Sequence, residues 1–558
     1  MKKRNLLLFI AVLFAFSTIL AACNSGKDQG KGETKDKNTG DLATEQILRL
    51  PEGGDMDSLN PQTATDAITH TTLANVMEGL YAFDDKGDME PALAKGDPEI
   101  SEDGKTWTIE IRDDAKWSNG DPVTAQDFVD GWRYGADPKT ASSYVYIMYD
   151  LKNAEAASKG EVPLEDIGVK AINETTLEIT WEAVYPYTKS LLGFSMFYPM
   201  NKAFADEQGK NYAKSADAQV YNGPYVVDSW KTDDNWVLKK NDQYWNKDNV
   251  TLDTVEVKVI KDANTRLQLF EAGDLDRTGV PPEQILKYAN DERRAEESEL
   301  VTFWLKLNQS RNEALANLNV RKAIARGYDN AGLLQILGGG GDHLIPADFI
   351  VPNGLQRDEN GKDFREGVGS LMPDNTIEDA QKYWEEAKKE LGIDELKVEF
   401  LNYDDDVAQK VGEYLKDQLE KNLPGLTLDF KPTPFQQMLD LQDKQDYDIA
   451  YAGWGASYPD ADYFLATFTT GNPYNRMDYS NKQFDDLIKR AGEEYAKDLD
   501  AQKRFELLQE AEKIAIEEQA IAPMYQRVRV TLTNPKVDGL VLRPFGGDFR
   551  YANIRILK

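Results

Sequence analysis

The chain has 558 residues, with 97 acidic against 65 basic side chains and a formal charge of −32. That balance excludes the basic face that nucleic acid or another polyanion needs, and it favours solubility and cationic or zwitterionic ligands. One cysteine excludes an intramolecular disulfide, and two histidines leave too few ligands for a histidine zinc site.

Lys2, Lys3 and Arg4 precede an apolar run, Leu6 to Leu20, that ends in Leu20-Ala21-Ala22-Cys23. This predicts a secretory signal over residues 1–22, too short and wrongly flanked for a membrane span. The small residues before Cys23 resemble the bacterial lipobox, in which the cysteine is lipidated and becomes the first mature residue. Asn24 to Thr44 is almost free of apolar residues, so 23–44 reads as a flexible tether behind a lipid anchor. Loss of the signal takes the formal charge to −35.

Ile47 to Pro61 predicts a short strand and a loop. Leu73, Val76, Met77 and Leu80 have helical spacing, predicting a helix over 71–80. Thr106 to Arg112 alternates as a half-buried strand, and Asn119-Gly120 marks a turn. Thr124 with Asp127 forms a capping box for a helix through Trp132. Leu177, Ile179 and Trp181 mark another strand, as do Val255, Val257 and Val259.

From Leu315 the helices lengthen. Thr376, Asp379 and Gly392 bracket a helix carrying Ala380, Tyr383, Trp384, Ala387 and Leu391. Strands are predicted at Val398–Phe400, Leu426–Phe430 and Tyr447–Tyr451, with helices over Val407–Leu419 and Pro434–Leu441 between them. Such alternation predicts an α/β lobe with a largely parallel sheet, whose ligand sits beyond the carboxyl ends of its strands. Gly453-Trp454-Gly455 falls at such an end. Its glycines leave backbone open to another chain, and the indole offers a flat wall.

Catalytic patterns are missing. Neither His70 nor His343 has a G-x-S-x-G elbow, and His70, in a Thr-rich run, reads as a surface or helix-start residue. Gly338 to Gly341 lacks the ending of a phosphate loop, and Asp404-Asp405-Asp406 lacks calcium-loop spacing and reads as a helix start. No carboxylate pair is singled out for glycoside hydrolysis.

Eight motifs occur in a recognisable order. They are Asp57-Ser58-Leu59-Asn60-Pro61, Glu78-Gly79-Leu80, and Ala115-Lys116-Trp117-Ser118-Asn119-Gly120-Asp121-Pro122-Val123-Thr124-Ala125. Asp137-Pro138-Lys139-Thr140-Ala141-Ser142-Ser143-Tyr144, Tyr221-Asn222-Gly223-Pro224-Tyr225 and Asn241-Asp242-Gln243-Tyr244-Trp245 follow. Asn319-Val320-Arg321-Lys322-Ala323 and the Gly-Trp-Gly stretch complete the series. With them the chain resembles the oligopeptide-binding lipoproteins of bacterial peptide ABC importers, in the extracytoplasmic solute-binding family that also holds dipeptide and nickel binders.

The resemblance implies an α/β, two-lobed periplasmic-binding-protein-like fold with an extra subdomain. Lobe I would comprise 45–76, 201–302 and 524–558, its subdomain 77–200, and lobe II 303–523. It implies a monomer with no cofactor, metal or chemistry on the peptide, working with membrane permease subunits on the extracytoplasmic face of the cell membrane. Backbone at Thr65, Asp66 and Ala67 would pair with one edge of the peptide, and Gly453 and Gly455 with the other. Tyr144 and Asn222 would contact peptide backbone, and Trp454 would wall a side-chain pocket.

One departure stands out. Ser457 occupies the place where peptide binders that grip a free amino terminus carry Asp. Either Asp460, Asp462 or Asp66 takes that role, or the terminus is not held there. Gln442 and Tyr451 likewise stand where Arg can meet a peptide carboxylate, so both termini are expected to be loosely specified. A pheromone receptor with the same cleft and a secreted hydrolase are the alternative readings. A nickel or haem ligand is disfavoured by the shortage of His and Met in motif spacing.

Overall fold

The computed structural model describes residues 41–341, 343–358, 360–472, 474–493 and 500–558. The signal and Cys23 lie outside the described residues. Leu42–Lys558 forms one compact unit.

Strand β1 (Ile47–Glu52) leads to helix α1 (Ala67–Val76). The helix begins earlier than its apolar spacing predicts because Asp66 caps it, accepting from the Thr69 N–H at 2.8 Å. Next, β2 (Glu99–Ile100), β3 (Thr106–Glu110), β4 (Val169–Asn173) and β5 (Thr176–Thr180) form an antiparallel sheet in the order β2-β3-β5-β4. Helix α2 (Ala125–Ala136) starts at the Thr124–Asp127 capping box. Then β6 (Tyr225–Lys231), β7 (Asn235–Lys240) and β8 (Thr254–Val259) join the first strand in the order β1-β8-β7-β6.

These two sheets share a hydrophobic core holding Trp107, Trp117, Trp132, Trp181 and Trp236, and the chain end supplies Phe549, Tyr551, Ile554 and Ile556 to it. The end is tied down by Gln46, whose side-chain amide exchanges two 2.9 Å hydrogen bonds with the backbone of Ile556.

A second core surrounds a mixed sheet. Its strands are β9 (Arg277–Gly279), β10 (Arg294–Leu307), β11 (Leu396–Tyr403), β12 (Leu426–Thr433), β13 (Ile449–Gly455) and β14 (Ile521–Thr533), in the order β9-β14-β10-β13-β11-β12. Helices α3 (Ile377–Leu391), α4 (Asp406–Asn422), α5 (Phe435–Asp443) and α6 (Ala501–Glu517) pack around it. Helix α3 has the expected caps: Thr376 accepts from the Asp379 N–H at 3.1 Å, and Gly392 closes the helix at φ 66°. Its buried face is Ala380, Trp384 and Ala387. Asp405 caps α4.

The expectation of a largely parallel sheet holds only for β12-β11-β13. Strand β10 runs antiparallel to both β13 and β14. Parallel neighbours need a crossover, and helices supply it between β11, β12 and β13. Strands β10 and β14 instead carry the chain into and out of this half. Their pairing shifts register between Ser298 and Thr302. Tyr458 packs against both cores.

Candidate functional site

The apolar pattern of β13 stops at Tyr451, yet the strand continues through Gly455. One edge of it is fully used. Residues Ile449 to Gly455 pair with Leu307 to Val301 of β10, and the Ala456 N–H continues the ladder to the Leu300 carbonyl at 3.0 Å. On the other edge β11 reaches only Ile449 and Ala450. Ala456 and Asp448 bond toward β10, so even-numbered positions face that strand and odd ones face the other way. The backbone groups of Gly453 and Gly455 therefore point to the edge that β11 leaves uncovered. The Tyr403 hydroxyl lies close to the Gly453 N–H there. Gly455 is exposed.

That edge borders a cavity of about 680 Å³. Thr65, Ala67 and Tyr144 line it from one side, and Gly455, Ala456 and Ser457 from the other. Sequence-separated positions thus converge on one space. Tyr144 stacks on Phe194 at 5.9 Å. Trp454 stands behind the lining, 5.8 Å from the rings of both Tyr463 and Tyr474.

Asp66 and Gly453 are not among the lining residues, and Asn222 and Asp460 are engaged elsewhere. Asn222 is 2% exposed, and its amide accepts from the Glu78 N–H at 3.0 Å and donates to the Glu78 carbonyl at 2.9 Å. It satisfies backbone groups left open just past the end of α1, so it is not available to a peptide. The Glu78 carboxylate accepts from Tyr244 and Trp245 at 2.8 and 2.7 Å. Three of the eight motifs are thus one buried polar cluster. Asp460 is fully buried, and both its oxygens take Arg504 of α6, at 2.7 and 3.0 Å. Its charge is thus matched inside the fold by Arg504. Ser457 donates to the Tyr463 hydroxyl at 3.0 Å. Asp66 spends one carboxylate oxygen on capping α1, while its Oδ2 is buried without a partner among the described residues.

The sequence reading missed several lining residues. His70 reads as a surface residue, but Thr69, Thr71 and Thr72 around it are buried and its ring lines the cavity. Arg527 and Arg529, two apart on β14, both pair with buried Glu299. Leu542 to Asp548 adds a continuous wall. The cations Lys86, Arg527, Arg529 and Arg543 outnumber the acids Glu299 and Asp548 in the lining. The acidic excess of the whole chain is therefore not carried into its cleft, contrary to the expectation from net charge.

Aromatic contacts close the cleft beside the cavity. Tyr187 stacks on Tyr458 at 4.4 Å, and Tyr146 meets Tyr474 at 4.9 Å. Asp150 lies close to Tyr187, Arg504, Asp460 and Asp462. Burial pushes Asp150 up to about 7, and burial with Asp460 nearby pushes Asp462 up to about 6. A raised carboxyl holds in the folded state a proton that the unfolded chain releases, so this contribution to stability falls as pH rises from about 4 to about 7. Asp150→Asn keeps the size of the side chain and removes the buried charge. Urea unfolding is expected to show it more stable than the parent by on the order of 2 kcal/mol near pH 8, with the gap closing toward about pH 4.

The profile of bacterial extracellular solute-binding proteins, family 5, middle region, matches residues 88–476. The chain belongs to this family. Among its family relatives, the oligopeptide-binding protein OppA of Bacillus subtilis is 31% identical over 563 residues, covering 99% of each chain. The substrate-binding domain of an oligopeptide ABC transporter from Bacillus anthracis is 41% identical, with a TM-score of 0.83 over 93% of this chain and 100% of that one. Listeria monocytogenes OppA, solved with bound peptide, is 37% identical with a TM-score of 0.83 over 92% and 100%. The architecture is the two-lobed periplasmic-binding fold of this family, whose members bind solutes.

Proposed function

We propose that this protein is the substrate-binding component of an ABC peptide importer, enclosing an oligopeptide between two lobes and delivering it to membrane permease subunits. The uncovered edge of β13, facing Thr65 and Ala67 across the cavity, carries this reading. A peptide laid along it as an added strand would exchange main-chain hydrogen bonds with Gly455, giving affinity that does not depend on sequence. The oligopeptide-binding relatives and the peptide-bound Listeria structure support the ligand class.

Lobe I is proposed as 45–76, 201–302 and 524–558, with 77–200 as its subdomain and 303–523 as lobe II. Both divisions fall inside the paired strands β10 and β14, and the register shift at Ser298–Thr302 would allow a hinge there. Peptide favours closure only through contacts made to both lobes at once. The protein acts as a monomer held to the outer face of the cell membrane by lipid on Cys23. Cys23→Ser is expected to move it from the membrane fraction into the medium on immunoblots; full retention on membranes argues against the anchor.

Mass spectrometry of small molecules released by unfolding the purified protein tests the function. A mixture of peptide sequences is expected. A single sequence would mark a dedicated signal receptor, and release of no peptide would overturn the reading.

A further inference from the structure

Strands β13, β10 and β14 present one shared face to the cavity. Gly455 lies opposite Val301 in the register, and Gly453 opposite Phe303. Phe303 in turn lies opposite Tyr525, two residues before Arg527 on β14. Paired residues on neighbouring strands, and residues two apart on one strand, share a face of the sheet. Gly455, Val301, Glu299, Arg527 and Arg529 all line the cavity, so this face is its floor. Glycine and valine keep that floor low, and β14 lies only about 10 Å from β13, two strand spacings away. Phe303 packs so tightly that a Cβ on Gly453 would meet its ring at 2.8 Å. The Arg527 guanidinium carbon lies 5.4 Å from the centre of the same ring. One aromatic ring therefore links the arginine to the strand-pairing stretch.

Arg527 is held at one end and open at the other. Its Nε donates to the buried Glu299 carboxylate. Its two terminal nitrogens donate to no group among the described residues, and its side chain is 38% exposed. Charge is unequally shared as well. Glu299 also pairs with Arg529, so two guanidinium groups divide one carboxylate. Arg529 has a second acid, Asp548 at 3.4 Å, and Glu52 close by. Arg527 pairs with no second acid among the described residues. A guanidinium anchored through Nε presents its remaining N–H groups as a planar fork. That fork matches a carboxylate, which it takes through parallel charge-assisted hydrogen bonds. An ammonium in the same place would be repelled.

We propose that Arg527 is a specificity-determining residue of the peptide site, its terminal nitrogens hydrogen-bonding a carboxylate of the ligand, from an Asp or Glu side chain or from the C-terminus. The inference rests on the peptide-binding reading and deepens it: the main-chain edge of β13 holds peptides of any sequence, and Arg527 ranks them by charge. The preference is a local one, since a chain of formal charge −32 repels anions at long range.

Calorimetry with four random hexapeptide libraries, on protein stripped of ligand by unfolding and refolding, tests this. The first library carries Asp, Glu and a free C-terminus. The second replaces Asp and Glu by Asn and Gln, the third is amidated at the C-terminus, and the fourth has both changes. The fourth is expected to bind roughly tenfold more weakly than the first, the order of effect of a lost hydrogen bond between charged groups. Weakening with the second library alone assigns the carboxylate to a side chain, and with the third alone to the terminus. Arg527→Gln is expected to bring the first and fourth libraries together, and Arg527→Lys, which keeps the charge without the fork, to retain part of the difference. Glu299 keeps Arg529 as a partner in both variants, and their melting curves are expected to follow the parent's closely. Equal affinity of the parent for the first and fourth libraries, or an undiminished difference in Arg527→Gln, overturns this inference and leaves the peptide reading standing. Binding of none of the four overturns both.

Discussion

Arg504→Met lowers the unfolding free energy by about 3–5 kcal/mol, the usual effect of removing one partner of a buried ion pair. Arg504 is 2% exposed and Asp460 is not exposed at all, and the guanidinium meets the carboxylate through two hydrogen bonds. Its Nε also donates to the Ala491 carbonyl, tying α6 to the helix Lys482–Glu493. Methionine fills the same length without charge, leaving the Asp460 carboxylate in the interior with only the Asp462 N–H at 2.9 Å and a distant Gln356 amide. The double change Arg504→Met with Asp460→Leu recovers most of the loss, because two matched apolar groups replace two matched charges. Urea unfolding of the three variants checks this. A single-variant loss below about 1 kcal/mol would show that the pair behaves like a surface bridge.

Gly455→Pro and Ala456→Pro, one residue apart, separate in opposite directions. The Gly455 N–H faces the uncovered edge of β13, where proline is tolerated by the sheet. That variant loses a donor to an added strand, and the ring obstructs the approach of the ligand backbone; its Cβ comes within 3.1 Å of Val301 Cγ2, so a small drop in melting temperature is expected, well short of that of Ala456→Pro. Calorimetry with a random hexapeptide library is expected to show affinity reduced at least tenfold, or about 1.4 kcal/mol. The Ala456 N–H instead closes the ladder to Leu300, so proline there destabilises the fold. Equal peptide affinity for the parent and Gly455→Pro would remove this edge from the binding site.

What could be read from the chain follows the distance over which each signal acts. The caps at Thr124, Thr376 and Gly392 are local, and the capping and spacing rules locate them. The place of β10 between β13 and β14 rests on contacts such as Arg527 with Glu299, 228 residues apart, and no local pattern announces them. The Gly-Trp-Gly stretch is legible because glycine and an aromatic at a strand end have few other uses. Asn222 is the instructive failure. Its motif is recognisable, but its amide serves the backbone of Glu78, and a motif alone does not distinguish a residue that holds the ligand from one that holds the fold. His70 fails in the opposite sense, because threonines that look solvent-facing in sequence are buried around it.

The closing contacts of the first core have a consequence for the order in which the chain can fold. Phe549, Tyr551, Ile554 and Ile556 complete a core begun at Leu48, and Gln46 waits for a partner 510 residues downstream. A chain made or threaded from its amino end therefore cannot finish its first-made half before its second. Contacts of such separation make folding slow, since a long loop must close before they form. Until the Phe549–Ile556 segment arrives the first core remains incomplete, and the polypeptide is still able to pass through a narrow channel.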